Sequence, residues 1–84
     1  MTTANAMTIE LVKILEAAQY HYEKEYRFFG YALDEADNKE VHELWLTECD
    51  RQDMMCRGIL EAYEILTGEK IYPHQIKETL HKLA

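Results

Sequence analysis

The feature that most restricts the fold of this 84-residue chain is an unbroken run of apolar positions at helical spacing. Leu11, Leu15, Ala18, Tyr22, Tyr26, Phe29 and Leu33 follow one another at intervals of 4, 3, 4, 4, 3 and 4. Only a helix returns side chains to one face at that interval. The mean interval is that of an eleven-residue repeat, which suits a long rod that is nearly straight or coils slightly to the right. Thr8 is placed to cap its start, with Met7 and Val12 spaced as a hydrophobic staple. Within the rod, Tyr20 to Tyr31 holds six of the nine aromatic residues of the chain. Such a stripe is stable in water only when something covers it.

The following segments supply the cover. Ala36-Asp37-Asn38-Lys39 breaks the pattern, and Asp37 with Glu40 three residues on reads as a capping box that opens a second helix. Its apolar side runs from Val41, Leu44 and Trp45 through Cys49, Met55, Cys56 and Ile59 to Ala62, Tyr63 and Leu66, and Gly68 is a suitable stop. Pro73 fits the first position of a short third helix with one apolar edge, Ile76, Leu80 and Leu83. Two long helices joined by a tight connection fold back on each other. The expected fold is therefore all-α: an antiparallel helical hairpin plus a short C-terminal helix across its open end. Residues 8–84 form one domain in this reading, after a flexible lead-in at 1–7.

The hairpin is expected to leave apolar surface uncovered. The apolar arc of the second helix spans about 160° of the wheel, more than one neighbour covers. Met54, Gly58 and Ile65 add a patch roughly opposite its centre. A homo-oligomer, most simply a dimer with a four-helix core, would remove this surface from water.

Composition narrows the partners. The formal net charge of -7 disfavours direct contact with nucleic acid or an anionic membrane and suits a basic protein. No stretch approaches the roughly 18 consecutive apolar residues of a membrane span. The N-terminus lacks the basic and apolar regions of a secretory signal. Cys49 and Cys56, seven residues apart on one helix, stand roughly 10 Å apart along its axis, beyond disulfide reach. They are expected to be reduced core thiols of a cytoplasmic protein.

Catalytic patterns are absent from the sequence. It contains no serine, its three glycines are scattered, and no cysteine pair has zinc-ligand spacing. His42 and Cys49 lie two turns apart, too far for a nucleophile and its base. Neither an enzyme nor a cofactor is expected.

Four constellations remain. With the turn centred near Asn38, Tyr22 should face Gln52, while Glu25 and Tyr26 face Glu48 and Cys49, forming a polar layer in which Gln52 and tyrosine hydroxyls satisfy Glu48. His21, Glu25 and Glu48 are the weak metal alternative there. A second weak metal alternative is His74, Glu78 and His81, on one face of the third helix. On the back of the first helix, Lys13, Tyr20, Lys24, Arg27 and Tyr31 fall within about 60° of the wheel. Flat rings with nearby cations suit an anionic small ligand such as a nucleotide, or an acidic partner helix. On the second helix, Glu43, Asp50, Asp53, Glu61 and Glu64 fall within about 80°, a surface for a basic partner.

The function expected from these features is a small, acidic, non-enzymatic interaction or regulatory module, a self-associating bundle that binds a macromolecule. Short acidic helical chains of this size are common among phage and prokaryotic accessory regulators, a likeness of size and charge alone. The alternatives are an anionic-ligand binder and a carboxylate/histidine metal-binding bundle.

Overall fold

The structure, a computed structural model, describes residues 3–83, with side chains from Ala6 onward. Two long helices, α1 (Thr3–Asp34) and α2 (Lys39–Thr67), pack against each other as a hairpin. A single 3-10 turn at Pro73–Gln75 leads into the short α3 (Ile76–Leu83), and no strand occurs among the described residues. This is the all-α hairpin with a third helix that the periodicity predicts. It measures 55 × 20 × 17 Å, and its radius of gyration of 15.6 Å exceeds the roughly 12 Å of a compact chain of this length. A rod two helices thick exposes more surface than a sphere. The 6062 Å² observed compares with about 5,200 Å² expected for this mass.

Two caps differ from the sequence reading. Thr8 lies inside α1, which begins at Thr3 because residues 4–7 contain no breaker and two alanines. Met1 and Thr2 of the expected lead-in lie outside the described residues. At the turn, Asn38 rather than Asp37 caps α2: its Oδ1 accepts from the Val41 N–H at 3.3 Å. The Asn38 N–H itself donates to the Glu35 carbonyl at 3.0 Å, which carries the turn one residue further. His42 fastens the turn, with Nδ1 2.6 Å from the Ala32 carbonyl oxygen. A carbonyl only accepts, so Nδ1 carries the proton.

The far end follows the expected signals. Gly68 has φ 75°, the left-handed conformation glycine takes without steric cost, and its N–H donates to the Glu64 carbonyl at 2.7 Å. Ile71 turns inward, and the Tyr72 N–H donates to Gln75 Oε1 at 2.9 Å, which closes the turn that starts at Pro73. The core lies at this base. Leu15 and Ala18 meet Cys56, Leu60 and Tyr63, and Ile71 and Ile76 close over them. Leu80 and Leu83 pack at its edge, so the apolar edge of the third helix is used as its spacing implies.

The stripe of α1 is only half used. Leu15 and Ala18 are fully buried, whereas Tyr26, Phe29 and Leu33 are exposed. Buried positions instead recur at seven residues or a multiple of it: Ala18 and Ala32 on α1, and Cys49, Cys56 and Tyr63 on α2. That is the interval of a two-helix seam rather than the eleven-residue one. Leu44, Met55 and Leu66, expected on the buried side of α2, are exposed.

Candidate interaction surfaces

One side of the hairpin is covered by the tail and the other is open. Pro73, His74 and Lys77 line one recess with Gln19, Tyr22 and Tyr26 of α1 on the covered side. Opposite lies a shallow groove of about 600 Å³ whose walls are Ile14 and Ala17 of α1 and Met54, Met55, Gly58 and Ile59 of α2. Its lining is almost wholly apolar, and Met54 stands 72% exposed. Met54 and Gly58 thus flank the seam rather than oppose it. Ile65, 80% exposed, does not line this groove.

The basic and aromatic face of α1 assembles in part. Lys24 Nζ lies 5.1 Å from the centre of the Tyr20 ring and 5.7 Å from that of Phe28. Phe28 and Tyr31 each contact Trp45, at 5.2 and 5.0 Å between ring centres. Tyr20, Lys24 and Tyr31 therefore belong to one ladder completed by Phe28 and Trp45, which sequence reasoning missed. Phe28 was legible in principle, four residues after Lys24. Lys13 leaves this ladder to pair with Glu10 at 3.6 Å, at the rim of the groove. Arg27 is exposed and enters no ion pair or ring contact among the described residues.

The polar layer exists with different pairings. Gln52, 5% exposed, is bonded to His21, with Nδ1 2.6 Å from Oε1, instead of facing Tyr22. Glu48 pairs with Arg51 at 3.1 Å. Cys49 Sγ donates to the Glu25 carbonyl oxygen at 3.5 Å. The metal alternatives do not assemble. His21 is spent on Gln52 and Glu48 on Arg51, while the His74 ring stacks on Tyr72 and Glu78 pairs with Lys82. Among the described residues no three histidine, cysteine or carboxylate groups converge as metal ligands, His81 included.

The acidic face of α2 is broken up. Asp53 holds Arg57 through both carboxylate oxygens at 3.0 Å. Glu61 and Glu64 border a recess they share with Arg57, Lys70 and Tyr72. Glu43 is exposed near the turn. Asp50 belongs elsewhere, at the rim of a cleft of about 350 Å³ on the covered side, with Tyr22, Glu25, Tyr26, Phe29 and Leu46. Partial burial raises the Glu25 carboxyl pKa, and the negative charges of Asp53 and Asp50 raise it further, against a smaller opposing pull from Arg57. Both cysteines are free and buried. Burial, then the Asp53 charge, pushes the Cys56 thiol up to about 11, which makes it a poor nucleophile.

No helix among the described residues is long and apolar enough to cross a membrane. Comparison of the chain with protein-family models, with curated proteins and with solved structures found no match.

Proposed function

We propose that this chain is a non-enzymatic interaction module of regulatory type, which pairs with a second copy and binds a macromolecular partner in the cytoplasm. The observation that carries the first half is the open groove between α1 and α2. The tail packs on one side of the hairpin near its base and leaves Ile14, Met54, Met55 and Ile59 lining an open groove on the other. Contiguous apolar surface of this kind marks an association site. Ala17 and Gly58 in its walls let another helix approach closely, and nothing stands within 4 Å of where a Gly58 Cβ would be. A second hairpin laid groove to groove gives a four-helix core with two-fold symmetry.

The second half rests on charge. At -7 the chain repels nucleic acid and anionic lipid, and the partner that suits it is a basic protein. Two buried free thiols suit a reducing compartment. The rival, an anionic ligand at Tyr20, Lys24, Arg27 and Tyr31, has less support because two rings already engage the Lys24 charge.

Sedimentation equilibrium tests the pairing. At micromolar concentration the chain should run at twice its 10.0 kDa mass. Met54→Glu should return it to a monomer of unchanged helix content, since that side chain has little to lose inside one protomer. A wild-type monomer overturns the reading.

A further inference from the structure

We infer that the cleft formed by Tyr22, Glu25, Tyr26, Phe29 and Asp50 binds the cationic end of an arginine or lysine side chain from a basic partner protein. This rests on the proposal that the chain has a basic macromolecular partner, and not on the pairing of two copies. The cleft lies on the covered side of the hairpin, above the tail, and is separate from the apolar groove.

Its composition is that of a cation site. Tyr26 is 66% and Phe29 48% exposed, so both rings stand open at its mouth. The negative faces of such rings attract a guanidinium or ammonium group. Leu46 and Cys49 offer an apolar floor for the methylene stem of a long basic side chain. Glu25 and Asp50 supply charge and belong to no ion pair among the described residues, in contrast to Glu10, Glu48, Asp53 and Glu78. Arg57, whose charge acts on Glu25, is already held by Asp53 through two bonds.

The cleft thus gathers negative charge in a partly dry place with no cation of its own. Burial first, and then the charges of Asp53 and Asp50, raise the Glu25 pKa. An independent sign comes from the adjoining recess, which shares Tyr22 and Tyr26. There Gln19 Oε1 is buried and accepts no hydrogen bond, while its amide nitrogen is fixed by donating to Glu23 at 2.9 Å. A buried acceptor without a donor is costly, so this side of the hairpin carries an unmet polar demand beside the cleft. Lys77 at the far edge of that recess places a positive charge beyond the cleft. A volume of about 350 Å³ takes one side chain, not a folded element. Among the described residues no third histidine, cysteine or carboxylate converges with the two carboxylates as a metal site would need.

The test is an NMR titration of the full chain with two capped tripeptides, one with arginine at its centre and one with neutral, isosteric citrulline. The arginine peptide should shift the signals of Tyr22, Tyr26, Phe29 and Leu46, and citrulline should bind about tenfold more weakly, as loss of a charge-assisted bond implies. Glu25→Gln should weaken the arginine peptide by a similar factor; losing a partly desolvated charge does not threaten folding. Glu16→Gln, an exposed carboxylate outside the cleft, should leave binding unchanged. Equal binding of both peptides, equal loss in the two variants, shifts at Met54 and Met55 instead, or no shift at millimolar peptide each overturns the inference. Sedimentation of the same samples separates the two proposals. A monomer that takes the arginine peptide in the cleft upholds this one alone, and a dimer that does not take it removes this one alone.

Discussion

The base of the hairpin and its tip are made from the same two helices, yet different forces hold them. At the base a third element closes over the seam, and Leu15, Cys56 and Ile76 lose all contact with water. At the tip only α1 and α2 meet. Ala32, Cys49 and Gln52 are buried there, while Leu33 and Leu44 remain 57% and 60% exposed. Polar ties take the place of the missing layer: His21 to Gln52, His42 to the Ala32 carbonyl, and Cys49 to the Glu25 carbonyl. Each such tie adds about 1 kcal/mol net. Full burial of an Ile or Leu side chain adds about 1.5–3 kcal/mol. A two-helix hairpin therefore has an inside only along one line, and a core needs a third wall.

The largest effect that tests this contrast is a pair of truncations. Ile76→Ala at the base should cost about 3 kcal/mol in urea unfolding, because it leaves a cavity under the tail. Leu44→Ala at the tip should stay within about 0.5 kcal/mol, as exposed substitutions do. Comparable losses would break the contrast, and would mean that something in solution covers the tip.

The two native thiols sharpen it further. Cys49 belongs to the tip and Cys56 to the base, and both are buried. Alkylation requires exposure and a thiolate, and the Cys56 thiol at about 11 supplies almost none in the folded state. Labelling therefore reports local opening, which is easier where fewer apolar contacts must break. Mass spectrometry after timed alkylation should show Cys49 modified at least about tenfold faster, a difference of about 1.4 kcal/mol in opening. Ile76→Ala should narrow the gap by speeding Cys56. Faster labelling of Cys56 in the wild type would reverse the assignment of the strong and weak ends.

The base was also the part most legible in the sequence. Gly68, Pro73 and the edge of Ile76, Leu80 and Leu83 are local signals, and each acts within a few residues of itself. The tip was less legible because its seam positions are polar. His21 and Glu25 occupy places that a hydrophobicity pattern assigns to solvent, so the seven-residue interval through Ala18 and Ala32 was hidden behind the more apolar stripe ending at Phe29 and Leu33. The shift of the cap from Asp37 to Asn38 has a similar cause. Both residues cap well, and the choice between them is made by the Asn38 N–H reaching back to Glu35, a bond no pattern of side chains announces. Of the basic and aromatic face, the angular clustering located Tyr20, Lys24 and Tyr31. It gave no sign of Trp45, which arrives from the other helix.

The smallest effect bears on the open groove, and its sign carries the information. Gly30 and Gly58 both lie inside long helices, and an added Cβ would meet nothing within 4 Å at either place. In an isolated hairpin each change to alanine should therefore stabilise by about 0.5–1 kcal/mol, through helix propensity alone. The two sites differ in what they face. Gly58 lines the groove and Gly30 does not. If a second hairpin packs there, its backbone approaches Gly58, and the added methyl group holds the two copies apart. Gly58→Ala should then stabilise the chain in dilute solution and lose that gain, or turn destabilising, as concentration rises into the range where copies pair. Gly30→Ala should give the same gain throughout. Thermal unfolding of both variants across a concentration series reads the difference directly. Equal gains at every concentration would show that no helix comes close to Gly58, and the groove would then be open surface rather than half of an interface.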